Sequence, residues 1–182
     1  MIDVVVPKGN EKEFIEMAKK LGYSGLCFVY ENAKPCSYDF PVYTGFVCKD
    51  KMKKADFVFQ NSDNRQLVRK RPTAVFGIEG KRDFIHQRDS GLDHVIVKEM
   101  YVHKVAYLIP FSHILNSNDR ERLIGRMIQN IMLCRKYKVK VMIASFAEHP
   151  YEMRNAQDLI AFARTLGAEK PLILNTKQDK EE

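Results

Sequence analysis

Four cysteines in 182 residues, at positions 27, 36, 48 and 134, make no CxxC pair and no zinc-knuckle spacing, so no thiolate metal site of the usual pattern organises the chain. Cys27, Cys48 and Cys134 sit among apolar neighbours and read as reduced, small core residues, as expected in a reducing cytoplasm. No apolar run approaches the ~20 residues that span a bilayer. The amino end reads as a strand, Ile2 to Val6, where a signal peptide would carry a charged and then an apolar region. A soluble, cytoplasmic protein without a membrane partner is the expectation. The catalytic patterns are missing too. Ser145 precedes Phe146 and Ala147 rather than lying in G-x-S-x-G, Cys27 and Cys48 have no identifiable activating base, and the GIEG run at 77 to 80 lacks a P-loop lysine and threonine. Repeats, low-complexity tracts and composition breaks are absent, which indicates one domain over residues 1–176. The tail KQDKEE, residues 177–182, has nothing apolar to bury and is expected to be disordered.

What is present is an ordinary globular composition with a cationic bias. Hydrophobic residues make up 45% and charged residues 29%, enough for a sizeable core. Thirty Lys and Arg against 23 Asp and Glu give a formal net charge of +7 and a pI near 9.2, which favours a polyanionic partner through counterion release. A merely solvated lysine surface would give the same totals.

Short apolar runs alternate with helix-like stretches. Ile2–Val6 predicts a strand, and Asn10 with Glu13 predicts a capping box that opens a helix striped by Phe14, Ile15, Ala18 and Leu21 and stopped at Gly22. Gly25–Tyr30, Val42–Cys48, Phe57–Phe59 and Thr73–Phe76 read as further strands. Asp63–Lys70 reads as a short helix halted by Pro72. Leu92–Val102 is helical in pattern, Val105–Ile109 is a buried strand ended by Pro110, and Asn118 with Glu121 predicts a second capping box before the stripe Ile124, Met127, Ile128 and Ile131. Val139–Ala144 closes the strand series, and Asn155 begins a last helix ended by Gly167. Continuously apolar strands alternating with helices indicate a mainly parallel sheet buried on both faces, in an open doubly wound sheet or a barrel.

In such folds the loops after the strand carboxyl ends form the functional face. Those segments carry Lys8, Lys34, Lys49, Lys51, Arg65, Lys81, Arg82, Arg88 and Arg154. The densest window, 49 to 71, holds eight cations (Lys49, Lys51, Lys53, Lys54, Arg65, Arg69, Lys70 and Arg71) against Asp50, Asp56 and Asp63. Tyr43, Phe57 and Phe59 interleave with it, but their alternate spacing assigns them to packing rather than base stacking. Arg65 and Arg154 are each placed near a loop-to-helix junction, where a guanidinium can grip a phosphate or else close an ion pair, Arg154 with Glu148 or Glu152. His94 can donate to phosphate or cap the helix it begins, and Lys98 lies one turn further on.

Residues 90–115, SGLDHVIVKEMYVHKVAYLIPFSHIL, join a glycine turn, an amphipathic helix and a buried strand in a block that resembles the ribonuclease P protein component 3 family, the 30-kilodalton subunit type of archaea and eukaryotes. AKKLGYSGLCFV at 18–29, NRQLVRKRP at 64–72 and RKYKVKVMIASFAEHPYEMRNAQDLIAFARTLG at 135–167 are similar to further parts of that family, in the same order. The resemblance implies an α/β fold, a distorted TIM-like (β/α) barrel of about seven to eight mainly parallel strands. It implies a subunit that supports the catalytic RNA in removing the 5′ leader from precursor tRNA, beside a second small protein. The polypeptide itself would then bind no cofactor, and magnesium would act at the RNA active site. On that reading the RNA-binding candidates are Lys49, Lys51, Arg65, Arg69, Arg82, Arg88, His94, Lys98 and Arg154. The family's late turn usually reads Ser-Ser/Gly-Ala, whereas this chain has Ser145, Phe146 and Ala147; a bulky phenylalanine there hinders close approach of backbone to phosphate. Two other classes stand beside this one. A metal-dependent phosphoesterase or nuclease of the related barrel superfamily would need clustered ligands such as His-x-His near the first strand, where this chain has Asp3; Asp83, Asp89, Asp93 and His94 come nearest to a cluster. A pure protein-interaction scaffold would show no RNA affinity at physiological salt.

Overall fold

Seven parallel strands, joined in sequence order, form the wall of a nearly closed barrel in the computed structural model, which describes residues 1–30, 38–48, 55–62, 65–79 and 89–175. The elements are β1 (Ile2–Val5), α1 (Glu11–Lys20), β2 (Gly25–Val29), β3 (Val42–Cys48), β4 (Phe57–Gln60), α2 (Arg65–Val68), β5 (Ala74–Phe76), α3 (His94–Val102), β6 (Ala106–Pro110), α4 (Phe111–Leu115), α5 (Arg120–Lys136), β7 (Val141–Ala144) and α6 (Ala156–Thr165), with a 3₁₀ turn at Pro150–Glu152 before α6. No helix among the described residues is long and apolar enough to cross a membrane.

Alternate residues of each strand face opposite ways, and here both faces are apolar. Ile2, Val4, Cys27, Val29, Phe57, Phe59, Ala74, Phe76, Leu108, Ala144 and Phe146 fill the lumen. Val5, Leu26, Phe28, Val75, Tyr107, Ile109 and Ile143 pack outward against the helices. Gly45 shows how tight the lumen is: a Cβ there would meet Cys27 Sγ at 2.8 Å and Val29 Cγ2 at 2.9 Å, so the interior of β3 has no room for a side chain at that position. Cys27, Cys48 and Cys134 are buried free thiols.

Two short segments carry the ladder from β7 toward β1. At the carboxyl ends, Phe146 N donates to Val4 O (2.7 Å) and Val6 N to Ala147 O (2.8 Å). At the amino ends, residues 172–174 wedge in: Leu172 exchanges bonds with Val141 O (3.0 Å) and Ile143 N (2.9 Å), and Leu174 O accepts from Ile2 N (2.9 Å). Asp3, fully buried, clasps this seam. Its Oδ1 accepts from the amides of Val4 (2.9 Å) and Ser145 (2.8 Å). Burial outweighs those bonds and pushes its pKa up to about 6.

The expected elements form, with shifts at their ends that have local causes. The capping box at Asn10 and Glu13 does not close, because Asn10 Oδ1 accepts from Lys8 N (3.0 Å) instead. The box at Asn118 and Glu121 is also absent. The N-cap position of α5 falls on Asp119, whose amide bonds Ser117 Oγ (3.1 Å). Asn155 does cap α6 by accepting from Asp158 N (2.9 Å). Helix α3 starts at His94 rather than Leu92, since the Gly91 turn takes up the preceding residues. Pro110 belongs to β6, paired with Ala144. Residues 49–54 and 80–88 lie outside the described residues, and with them Lys49, Lys51, Arg82 and Arg88; so do Cys36 and the tail.

Candidate nucleic-acid interface

Helix α3 is positioned by a buried polar cluster at the end of β5. Glu79, 1% exposed, lies past the last residue of that strand. The Tyr107 hydroxyl from β6 donates to its Oε1, Asn130 Nδ2 from α5 donates to the same atom (3.1 Å), and Arg126 Nη1 donates to its carbonyl. Burial raises the Glu79 pKa against these hydrogen bonds. Asn130 Nδ2 also donates to Ser90 O (2.9 Å), and Asp89 Oδ1 accepts from Gly91 N (2.8 Å). The cluster therefore ties two strands and α5 to the turn that launches α3. Gly91 is required there: at φ 91°, a Cβ would lie 2.4 Å from Ile78 O.

Asp93 caps α3, with Oδ1 accepting from the amides of Val95 (2.8 Å) and Ile96 (2.7 Å). Its other oxygen accepts from Arg65 Nη2 of α2 at 3.0 Å. The amides and this guanidinium hold the Asp93 carboxyl below its ordinary pKa, although partial burial pushes the other way. One turn on, Arg69 grips Glu99 in a two-pronged bond, Nε at 3.2 Å and Nη2 at 2.9 Å, and His103 Nε2 lies 3.3 Å from the same carboxylate. These exposed pairs contribute little stability, but they fix two guanidinium groups along one flank of α3 with half or more of each side chain in solvent.

Lysines also stand by this helix. Lys98 Nζ sits 5.8 Å from the centre of the Tyr137 ring, and Lys136 Nζ is 5.7 Å from the same ring. His94 occupies the exposed first turn of α3, but Asp93, not His94, performs the capping. Arg65, Arg69, His94 and Lys98 therefore converge around one helix. Arg154 does not join them. It lies at the β7–β1 seam, where its Nη1 donates to the carbonyls of Tyr151 (2.9 Å) and Met153 (2.7 Å), and its guanidinium sits 5.7 Å from the centre of the Phe111 ring. The sequence expectation of a pair with Glu148 or Glu152 fails because those carboxylates have other partners: Lys8 bonds Glu148, and Asn116 Nδ2 (3.0 Å) and the Glu148 amide (2.8 Å) bond Glu152.

The mouth of the barrel, where enzymes of this architecture place their chemistry, is packed with aromatic rings. Phe146, at φ 49°, turns its ring inward to lie 4.6 Å from Phe76 and 5.5 Å from Phe59 between ring centres. His113 covers this stack, 5.9 Å from Phe76, and its pKa is lowered by burial. Asp3 is fully buried, with Oδ1 engaged at the seam by the amides of Val4 and Ser145. Among the described residues no three His, Cys, Asp or Glu come together as a metal cluster. Tyr43, Phe57 and Phe59 belong to the lumen packing, as their spacing predicts. Sequence reasoning missed the Glu79 cluster, Lys136, Tyr137 and the short helix α4. The available signal was Arg126 and Asn130, four apart beside the apolar stripe of α5.

Residues 82–172 match the family described as RNase P subunit p30. A relative from Methanocaldococcus jannaschii, "Ribonuclease P protein component 3", is 29% identical over 190 aligned positions covering 86% of this chain and 79% of its own. One of the same name from Methanosarcina mazei is 28% identical, covering 91% and 79%. A chain in a cryo-EM structure of archaeal Ribonuclease P with mature tRNA superposes with a TM-score of 0.73 at 24% identity, over 92% of this chain and 83% of that one.

Proposed function

We propose a role for this chain from the premise that it belongs to the RNase P subunit p30 family: it is a protein subunit of ribonuclease P that holds the catalytic RNA in its working fold during removal of the 5′ leader from precursor tRNA. The chemistry on this reading is the RNA's, with magnesium ions held among RNA phosphates at the scissile bond. The polypeptide supplies charge and shape, beside a second small protein subunit.

The observation that carries the reading is the convergence of Arg65, Arg69, His94 and Lys98 around α3. RNA helices brought close together repel through their phosphates, and cations on a rigid surface offset that repulsion while releasing condensed counterions. Rigidity matters because a guanidinium already held by Asp93 or Glu99 loses less freedom when it meets a phosphate. Lys49, Lys51, Arg82 and Arg88 extend the proposed RNA-binding set. The aromatic packing at the barrel mouth also favours this role over a metal hydrolase, since Phe59, Phe76, Phe146 and His113 occupy the place where such a site would open.

The test is cleavage of precursor tRNA in magnesium by three mixtures: this protein alone, catalytic RNA with the small protein partner, and all components. Activity that rises only in the complete mixture supports the RNA-activating role. Chelator-sensitive cleavage by the protein alone would overturn it.

A further inference from the structure

Tyr151 is 84% exposed, yet it stands on a turn with very little freedom. Glu152 Oε2 accepts from the amides of Glu148 (2.8 Å) and His149 (3.4 Å), and Asn116 Nδ2 donates to Oε1 (3.0 Å). The Tyr23 hydroxyl, from the loop before β2, donates to Arg154 O (2.8 Å), and Arg154 N reaches Ser145 Oγ (3.4 Å). A large ring displayed to water on so restrained a support gains nothing for the fold. It does provide a flat face whose ordering cost has been met before any ligand arrives.

Arg154 beside it is equally prepared. Its Nη1 is committed to the Tyr151 and Met153 carbonyls, while Nε and Nη2 have no acceptor among the described residues. Unlike Arg65 and Arg69, it has no carboxylate partner among those residues, because Glu148 is taken by Lys8 and Glu152 by Asn116 and two amides. A guanidinium anchored by carbonyls and left unneutralised attracts an anion, and three free N–H groups match a phosphate.

We propose that Tyr151 and Arg154 form a binding site for an unpaired nucleotide of RNA, Tyr151 stacking on the base and Arg154 holding a neighbouring phosphate. This rests on the RNA-subunit role above and adds a single-strand contact on the β7–β1 side, apart from the cationic surface around α3. An exposed ring favours an unpaired base because a base inside a helix is already stacked on both faces.

The 182-residue chain contains no tryptophan, so Tyr151→Trp in this chain introduces one indole whose emission reports stacking directly. It is titrated with a short oligouridylate and with duplex RNA of equal length, while Tyr151→Ala and Tyr151→Phe are compared with the unsubstituted chain for oligouridylate affinity. The expected result is quenching by the single strand and little by the duplex, a roughly tenfold loss of affinity for the alanine variant, and near-full retention for phenylalanine. Unchanged emission and affinity, with RNA binding still dependent on Arg65 and Lys98, would overturn the stacking site and leave the RNA-subunit role standing. An emission change only on adding the small protein subunit would also overturn it, marking a protein contact. Failure of the unsubstituted protein to bind any RNA or to activate the complete mixture would remove both readings.

Discussion

Asp3→Asn isolates the cost of burying a charge at the barrel seam. In the unfolded chain the Asp3 carboxyl titrates near 3.8, and in the folded protein near 6. Between those values the folded state binds the extra proton, so stability falls as pH rises. A shift of this size, at about 1.4 kcal/mol per unit, corresponds to about 3 kcal/mol lost in full above pH 6 and absent below pH 4. Asparagine keeps an oxygen acceptor for the amides of Val4 and Ser145 and carries no charge. Glu79 has a raised pKa and other carboxylates have lowered ones, so neither protein has a flat pH profile. Their difference, however, cancels every group except Asp3. Urea unfolding followed by circular dichroism, at intervals from pH 4 to 7.5, is expected to show the unsubstituted protein losing about 3 kcal/mol relative to Asp3→Asn across that window. Parallel curves would mean that Asp3 titrates as an ordinary carboxyl, and the desolvation argument would fail.

Phe146→Ala should cost about 3–5 kcal/mol by removing the ring packed on Phe59 and Phe76. Phe146→Gly should be no less stable than the alanine variant, because glycine tolerates φ 49°, whereas elsewhere it is the poorer residue by about 0.5–1 kcal/mol; chemical denaturation ranks the two. Gly91→Ala, placing a Cβ 2.4 Å from Ile78 O at φ 91°, is expected to cost at least about 2 kcal/mol and to lower the melting temperature correspondingly. Arg65→Ala and Lys98→Ala should each weaken RNA binding and reduce the slope of log affinity against log salt by about one; unchanged slopes in filter binding would exclude both from phosphate contact.

The strands were legible because parallel strands buried on both faces read as short apolar runs, and every run from Ile2 to Ala144 became a wall of the barrel. The same property hid which residues face the lumen: when Val4 and Val5 are equally apolar, only pairing register separates them. Capping patterns gave mixed results for a local reason. Asn155 found the amide of Asp158, whereas Asn10 had a nearer donor in Lys8. Helix α4, five residues long, is too short for periodicity to announce, and is held by bonds from Ser112 to the distant residues Ser145 and Phe146. The cations of the proposed interface were visible one by one. Their convergence was not, since it depends on Arg65 meeting Asp93 and Arg69 meeting Glu99 across the segment between α2 and α3.

The wedge at residues 172–174 has a consequence for how the chain is made. During synthesis β1 is made before the other six strands, and the segment that bonds Ile2 only after all of them. Until then β1 carries an unsatisfied edge beside an apolar lumen, a surface able to recruit the wrong strand from another nascent copy. Because the segments that complete the cylinder lie so far apart in the chain, their pairing is slow to find. The growing protein therefore completes its barrel late, and a chain released before Leu174 should aggregate rather than fold into a smaller barrel.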